Sequence, residues 1–172
     1  FIIIYSRTFR PGDYVRVGET EGVVKTIGLL ATRIENMKRE RVSIPNSLIV
    51  GTEVKNYTRL SGELGVILYT SVTIGYGSPW RQVHAMLLQA AERTPGLLKA
   101  PIPFVNQTAL SDFYVEYQLN AHLEVPEKRI RTLAVLHANI QDVFNEHGVQ
   151  ILSPHYEVDP PEPVVVPKEK WF

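Results

Sequence analysis

From Glu63 to Gly96 the chain reads ELGVILYTSVTIGYGSPWRQVHAMLLQAAERTPG, and the hydrophobic period changes once within it. ELGVILYTSVTIGYG is a long β run, strongly β-branched toward its end. Ser78-Pro79 then reads as a helix start, with Ser as the cap and Pro in the first helical position. The helix WRQVHAMLLQAAERT places Trp80, Val83, Leu87 and Ala90 on one face and stops at Thr94-Pro95-Gly96. Between strand and helix, TIGYGS (Thr73–Ser78) lacks both the dinucleotide glycine pattern and the lysine of a nucleoside-triphosphate loop, so it reads as a plain strand-to-helix turn.

Working toward the C-terminus, PFVNQTAL and DFYVEYQLNAHLEV are two strands joined at Ser111-Asp112. A second helix, from about Pro126 to His147, aligns Ile130, Leu133, His137, Ile140 and Phe144 at spacings of three and four. Gly148 is its stop, and VQILSPHYEV supplies a last strand. The order β-α-β-β-α-β is the split βαβ, or ferredoxin-like, arrangement, assigned to residues 61–158. From Asp159 onward Pro160, Pro161, Pro163 and Pro167 surround Val164, Val165 and Val166. Proline at that density excludes a helix and a central strand alike. Residues 159–172 are therefore expected to form an extended tail whose valines pair only at an edge or with another copy of the chain.

Working toward the N-terminus, residues 13–60 hold short segments spaced like β structure: DYVRVG, EGVVKTIG, LATRIENM, RVSIP and VKNYT. Strands so short and so close bury their apolar faces by curling into a small barrel or sandwich. Ahead of them residues 1–12 form a separate piece. Phe1, Ile2, Ile3 and Ile4 are an oily run that meets Arg7 and Arg10, after which Pro11-Gly12 turns the chain. The expected class is thus mainly β plus α+β, in two domains with an extended tail.

Composition removes several functions. There is no cysteine among the 172 residues, which excludes disulfides, Cys-ligated zinc and thiol catalysis. Net charge is zero, yet it is divided: residues 1–60 carry ten Lys/Arg against six Asp/Glu, and the rest carry eight against twelve. The five histidines, at 84, 122, 137, 147 and 155, have no metal-ligand spacing. His137 reads as a core-edge residue of the second helix, and His147 as a complement to that helix's negative end. Asp112 and Glu116 on a strand would stand about 13 Å apart, too far for paired-acid catalysis. No enzyme signal, cofactor or metal site is expected.

RTFRPGDYVRV (Arg7–Val17), followed by EGVVKTIGLLATRIENMKRERVSIPNSLI (Glu21–Ile49), resembles the cytoplasmic region of the small-conductance mechanosensitive channel family. The matching residues are Arg7, Phe9, Arg10, Gly12 and Asp13; Gly22 and Gly28; and Ile44, Pro45 and Asn46. SPWRQVHAMLLQAAERTPG, QTALSDFYVEYQLNAHL and NIQDVFNEHGVQILSPHYEVDP are similar to its second domain, so the likeness runs from Phe1 to about Pro160. The resemblance implies an Sm-like β domain, a ferredoxin-like domain, and assembly into a homo-oligomeric ring, seven chains in the family, enclosing a vestibule that filters solutes. It makes Phe1–Ile4 the end of a pore-lining helix and Arg7, Phe9 and Arg10 a membrane-proximal lead-in. Val164–Val166 become one strand of an inter-subunit barrel. The implied partners are further copies of the chain, membrane lipid through transmembrane helices that this chain lacks, and permeating ions. The implied location is the inner membrane in full length, with this part facing the cytoplasm. A ring-forming nucleic-acid module on the same barrel is the alternative, but Lys38, Arg39 and Arg41 are interrupted by Glu40 and have no adjacent aromatic.

Overall fold

The computed structural model describes residues 8–59, 62 and 64–152. Two sheets make up the fold, one within residues 14–56 and one within residues 66–123. In the first, β1 (Tyr14–Val17), β2 (Thr20–Ile27), β3 (Ala31–Asn36), β4 (Arg41–Pro45) and β5 (Val54–Asn56) form one antiparallel sheet in the order β4-β3-β2-β1-β5. The register of β2 on β3 shifts at Lys25, a bulge that lets the longest strand of this sheet bend. Its apolar face gathers into one core: Val15 and Val17 from β1, Val24, Ile34 and Ile44, closed by Phe9 and Ile49. Ile49 comes from a one-turn helix, α1 (Asn46–Val50), which begins directly at the end of β4 and was not legible as a helix in NSLIV. Pro45 stands on the outer edge of β4, where no ladder donor is needed.

The second sheet holds β6 (Val66–Gly75), β7 (Phe104–Leu110) and β8 (Tyr114–Leu123), antiparallel in the order β6-β8-β7. This is the spatial order of the first three strands of the split βαβ arrangement. On the free side of β6, Leu152 bridges Thr73 in the antiparallel sense, where a fourth strand belongs. Residues 149–151 of the expected strand VQILSPHYEV join no ladder, and residues 153–158 lie outside the described residues. Two helices, α2 (Trp80–Glu92) and α3 (Arg129–Glu146), the latter led by a 3-10 turn at Pro126–Lys128, pack on this sheet. Leu68, Ile74, Val83, Leu87, Leu119, Leu123, Leu136, Ile140 and Phe144 form the common core.

Local chemistry sets the helix ends. Pro79, not Ser78, occupies the N-cap of α2, in an extended conformation and with no side-chain capping bond. The expected Ser cap is therefore displaced by one residue, because the proline carbonyl itself accepts from Gln82 N–H and Val83 N–H. At the far end of α3, Gly148 adopts φ +65° and its N–H reaches the Asn145 carbonyl, while Val149 N–H reaches that of Phe144. That pair of bonds is a Schellman closure, so Gly148 stops the helix as expected. Thr94, buried past the end of α2, donates to the Ala90 carbonyl and accepts from Asn139 Nδ2 of α3 at 2.9 Å.

Both helix faces need correction. Trp80 is 45% exposed with the Arg81 guanidinium over its ring, so it stands off the core stripe and Met86 and Ala91 join Val83, Leu87 and Ala90 instead. On α3 the buried residues are Thr132, Leu136, Ile140, Val143 and Phe144. Ile130 is exposed, Leu133 is only partly buried, and His137 is exposed, bonded through Nε2 to Thr70 Oγ1 of β6 at 2.8 Å. Apolar residues at 130, 133, 135 and 136 offer two overlapping stripes, and the sheet selects the one a residue around.

Candidate functional site

The lead-in to the β domain is a closed turn. Arg10 and Asp13 flank Pro11-Gly12; Gly12 takes φ +95°, a conformation that costs a side chain strain, and Asp13 N–H returns to the Arg10 carbonyl at 3.0 Å. Asp13 Oδ2 accepts from Arg10 N–H at 2.9 Å and from Asn56 Nδ2 at 2.7 Å. Asn56, at the end of β5, also donates to the Thr8 carbonyl and accepts from the N–H groups of Thr58 and Arg59. The point where the chain enters the domain is thereby tied to the point where it leaves. Phe9 is buried in the β core, and the Arg10 side chain is exposed. Phe1–Ile4 and Arg7 lie outside the described residues, as do Val164, Val165 and Val166.

Two more of the sequence-selected positions meet in space. Asn46 Nδ2 donates to the carbonyls of Gly28 and Leu29 at 2.9 and 3.0 Å, and Oδ1 accepts from Thr32 Oγ1 at 2.9 Å. Its own N–H reaches the Leu30 carbonyl. One amide thus clamps the whole β2–β3 turn and satisfies the fully buried Thr32 hydroxyl. At Gly22 a Cβ would collide with the Glu35 carbonyl of β3, so the strands close there only over glycine. Ile44 completes the core beneath this clamp.

A third cluster joins the two domains. Arg129, the first residue of α3, reaches back to Glu21 of β2 with Nη1 3.3 Å from both carboxylate oxygens. The side chains are only 16% and 11% exposed. Tyr14 of β1, wholly buried, donates its hydroxyl to Glu21 Oε1 at 3.0 Å. Burial first, and then the Glu21 charge, push the Tyr14 phenol far above its ordinary value, so it stays a donor. The Arg129 guanidinium also lies 5.0 Å over the ring of Tyr57, whose N–H bonds the Tyr14 carbonyl. Sequence reading missed Glu21, Arg129, Tyr57 and Asn56, since nothing local marks partners up to 108 positions apart.

Large apolar side chains remain exposed in two regions. Leu29, Leu30, Leu48 and Val50 surround the Asn46 clamp. Ile102, Phe104, Leu110 and Phe113, the last 81% exposed, line the free edge strand β7 and its turns. Among the described residues no group of His, Asp and Glu is arranged to hold a metal ion.

A glycine-locked turn feeding a clamped five-stranded sheet, followed by a helix-backed three-stranded sheet, defines the two-domain class. Residues 1–59 match the family described as "Mechanosensitive ion channel, beta-domain", and residues 68–151 match "Mechanosensitive ion channel MscS, C-terminal". This chain belongs to the MscS family of mechanosensitive ion channels. It is 31% identical over 150 residues to an MscS family protein of Haemophilus influenzae, covering 87% of this chain and 13% of that one. It is 29% identical to mechanosensitive channel MscK of Escherichia coli, over 91% of this chain and 14% of that protein. The chain therefore spans about a seventh of the length of these relatives. The crystal structure of Helicobacter pylori MscS in its closed state shares the fold, with a TM-score of 0.67 at 15% identity over 94% of this chain and 63% of that one.

Proposed function

We propose that this chain builds the vestibule of a tension-gated ion channel, as a ring of identical subunits facing the cytoplasm beneath the pore. The observation that carries the reading is the pair of exposed apolar regions, Leu29/Leu30/Leu48/Val50 on one domain and Ile102/Phe104/Leu110/Phe113 on the other. Exposed apolar patches, one of them here along a free strand edge, mark contact surfaces, and unlike patches on one chain favour a head-to-tail contact that closes into a ring.

In this reading Phe1–Ile4 continue a pore-lining helix, and Arg7 and Arg10 lie at the membrane surface. Phe9 anchors that lead-in in the β core, where it is buried. Tension does its work on membrane-spanning helices, and among the described residues no helix is long and apolar enough to cross a membrane. The role left to this region is to support the pore and to screen solutes, with Val164–Val166 pairing between subunits at the base. A seven-membered ring follows from the family resemblance. The nucleic-acid alternative gains nothing from the relatives, which are named as channels.

Light scattering on the purified chain tests the assembly. A mass several times the 19.5 kDa of one chain is expected, falling when Leu30→Lys and Phe113→Glu are combined. A monomer at every concentration overturns the ring.

A further inference from the structure

We propose that Glu21, Arg129, Tyr14 and Tyr57 form a latch that holds the two domains in one orientation and couples the lead-in turn to helix α3. The covalent connection between the domains does not do this by itself. It runs through Gly62, at positive φ and with open space where a Cβ would stand, before Gly65 packs on the Leu123 backbone, so the joint has one glycine with wide backbone freedom. Across it stands a desolvated ion pair, Glu21 with Arg129, whose cation also covers the ring of Tyr57, the residue just past the end of β5.

The contacts run without a break from one domain to the other. Asp13 of the lead-in turn holds Asn56; the next residue, Tyr57, holds Arg129; and Tyr14, the residue after Asp13, holds Glu21. A displacement of the lead-in turn therefore reaches both sides of the latch at once. Nη1 alone meets both carboxylate oxygens, but the stacking on Tyr57 needs a planar guanidinium, so lysine at 129 would keep the charge and lose the hold on Tyr57. Because each charge is held in a site with little water, loss of either partner strands the other and favours opening. This inference concerns the joint within one chain and stands whether or not the chain forms a ring.

The chain has no cysteine, so spin labels placed at Ser43→Cys in β4 and Gln141→Cys in α3 report the distance between domains without further changes. Labelled chain is diluted into unlabelled chain, so that only distances within one chain are read, by pulsed electron spin resonance. The native latch should give a single narrow distance distribution. Arg129→Ala should broaden it or add a second distance, Arg129→Lys should fall between, and Asn56→Ala should broaden it less. Should Arg129→Ala melt the chain, Glu21→Gln decides, because it keeps the shape of the site and an acceptor for Tyr14. A distribution as narrow in Glu21→Gln as in the native chain, with native circular dichroism, overturns the latch.

Discussion

Replacing Asn46 tests the clamp on the β2–β3 turn. In Asn46→Ala three hydrogen bonds vanish: two to the carbonyls of Gly28 and Leu29 and one from Thr32. The carbonyls regain water, so each costs about 0.5–1 kcal/mol, near the low end for a net hydrogen bond. The Thr32 hydroxyl is fully buried, and stranding it costs about 1–3 kcal/mol. The total expected is about 2–5 kcal/mol. Asn46→Asp separates this account from simple loss of packing. The aspartate keeps the acceptor for Thr32 but turns a charged oxygen toward two carbonyls, so it should cost at least as much as alanine despite its closer shape. Thermal unfolding by far-ultraviolet circular dichroism, with hydrogen exchange at residues 27–32, measures both variants. Combining Thr32→Val with Asn46→Ala should cost less than the two single changes added, since valine leaves no hydroxyl to strand. An Asn46→Asp protein as stable as the native one would refute the reasoning.

Further outcomes follow from the core and from one histidine. Phe144→Ala, in the α3 face buried against the sheet, should cost about 3–5 kcal/mol by chemical denaturation. Gly22→Ala should destabilise the β domain, because β3 must retreat from the new methyl group; protection of β2 and β3 amides against exchange should fall while α2 and α3 keep theirs. His84 lies T-shaped against the rings of Trp80 and Tyr117, with Nε2 buried and no hydrogen-bond partner among the described residues. Burial lowers its pKa, so the unfolded chain takes up the proton first. Its stabilising contribution is complete above about pH 6.5 and erodes as the pH falls below that value. His84→Phe should flatten the decline in melting temperature between pH 7 and pH 5; an unchanged slope would remove His84 as its source.

The strands of the β domain were readable because each apolar residue that alternates within a short segment reaches the same core: Val15, Val17, Val24, Ile34 and Ile44. The glycines and Asn46 were visible as a pattern, but their reasons were not. A collision between Gly22 and the Glu35 carbonyl, or an amide closing a turn 18 residues back, exists only once β3 and β4 have paired. The α3 stripe misled because its surplus of apolar residues makes the period ambiguous, and the sheet decides which face is covered. Trp80 misled for a related reason: at the first turn of α2 its ring stacks under Arg81 and lies T-shaped against His84, so bulk alone did not predict burial. The Glu21–Arg129 contact leaves no trace in either local sequence, since both are ordinary surface residue types until the domains meet.

Tension gating by the complete gene product is a proposal that follows from the vestibule role proposed for this chain. Excised patches from cells lacking mechanosensitive channels of their own, expressing that product, test it directly. The account predicts discrete current steps that appear with suction and vanish on its release. Patches that contain the protein in the membrane and stay silent up to rupture would contradict it.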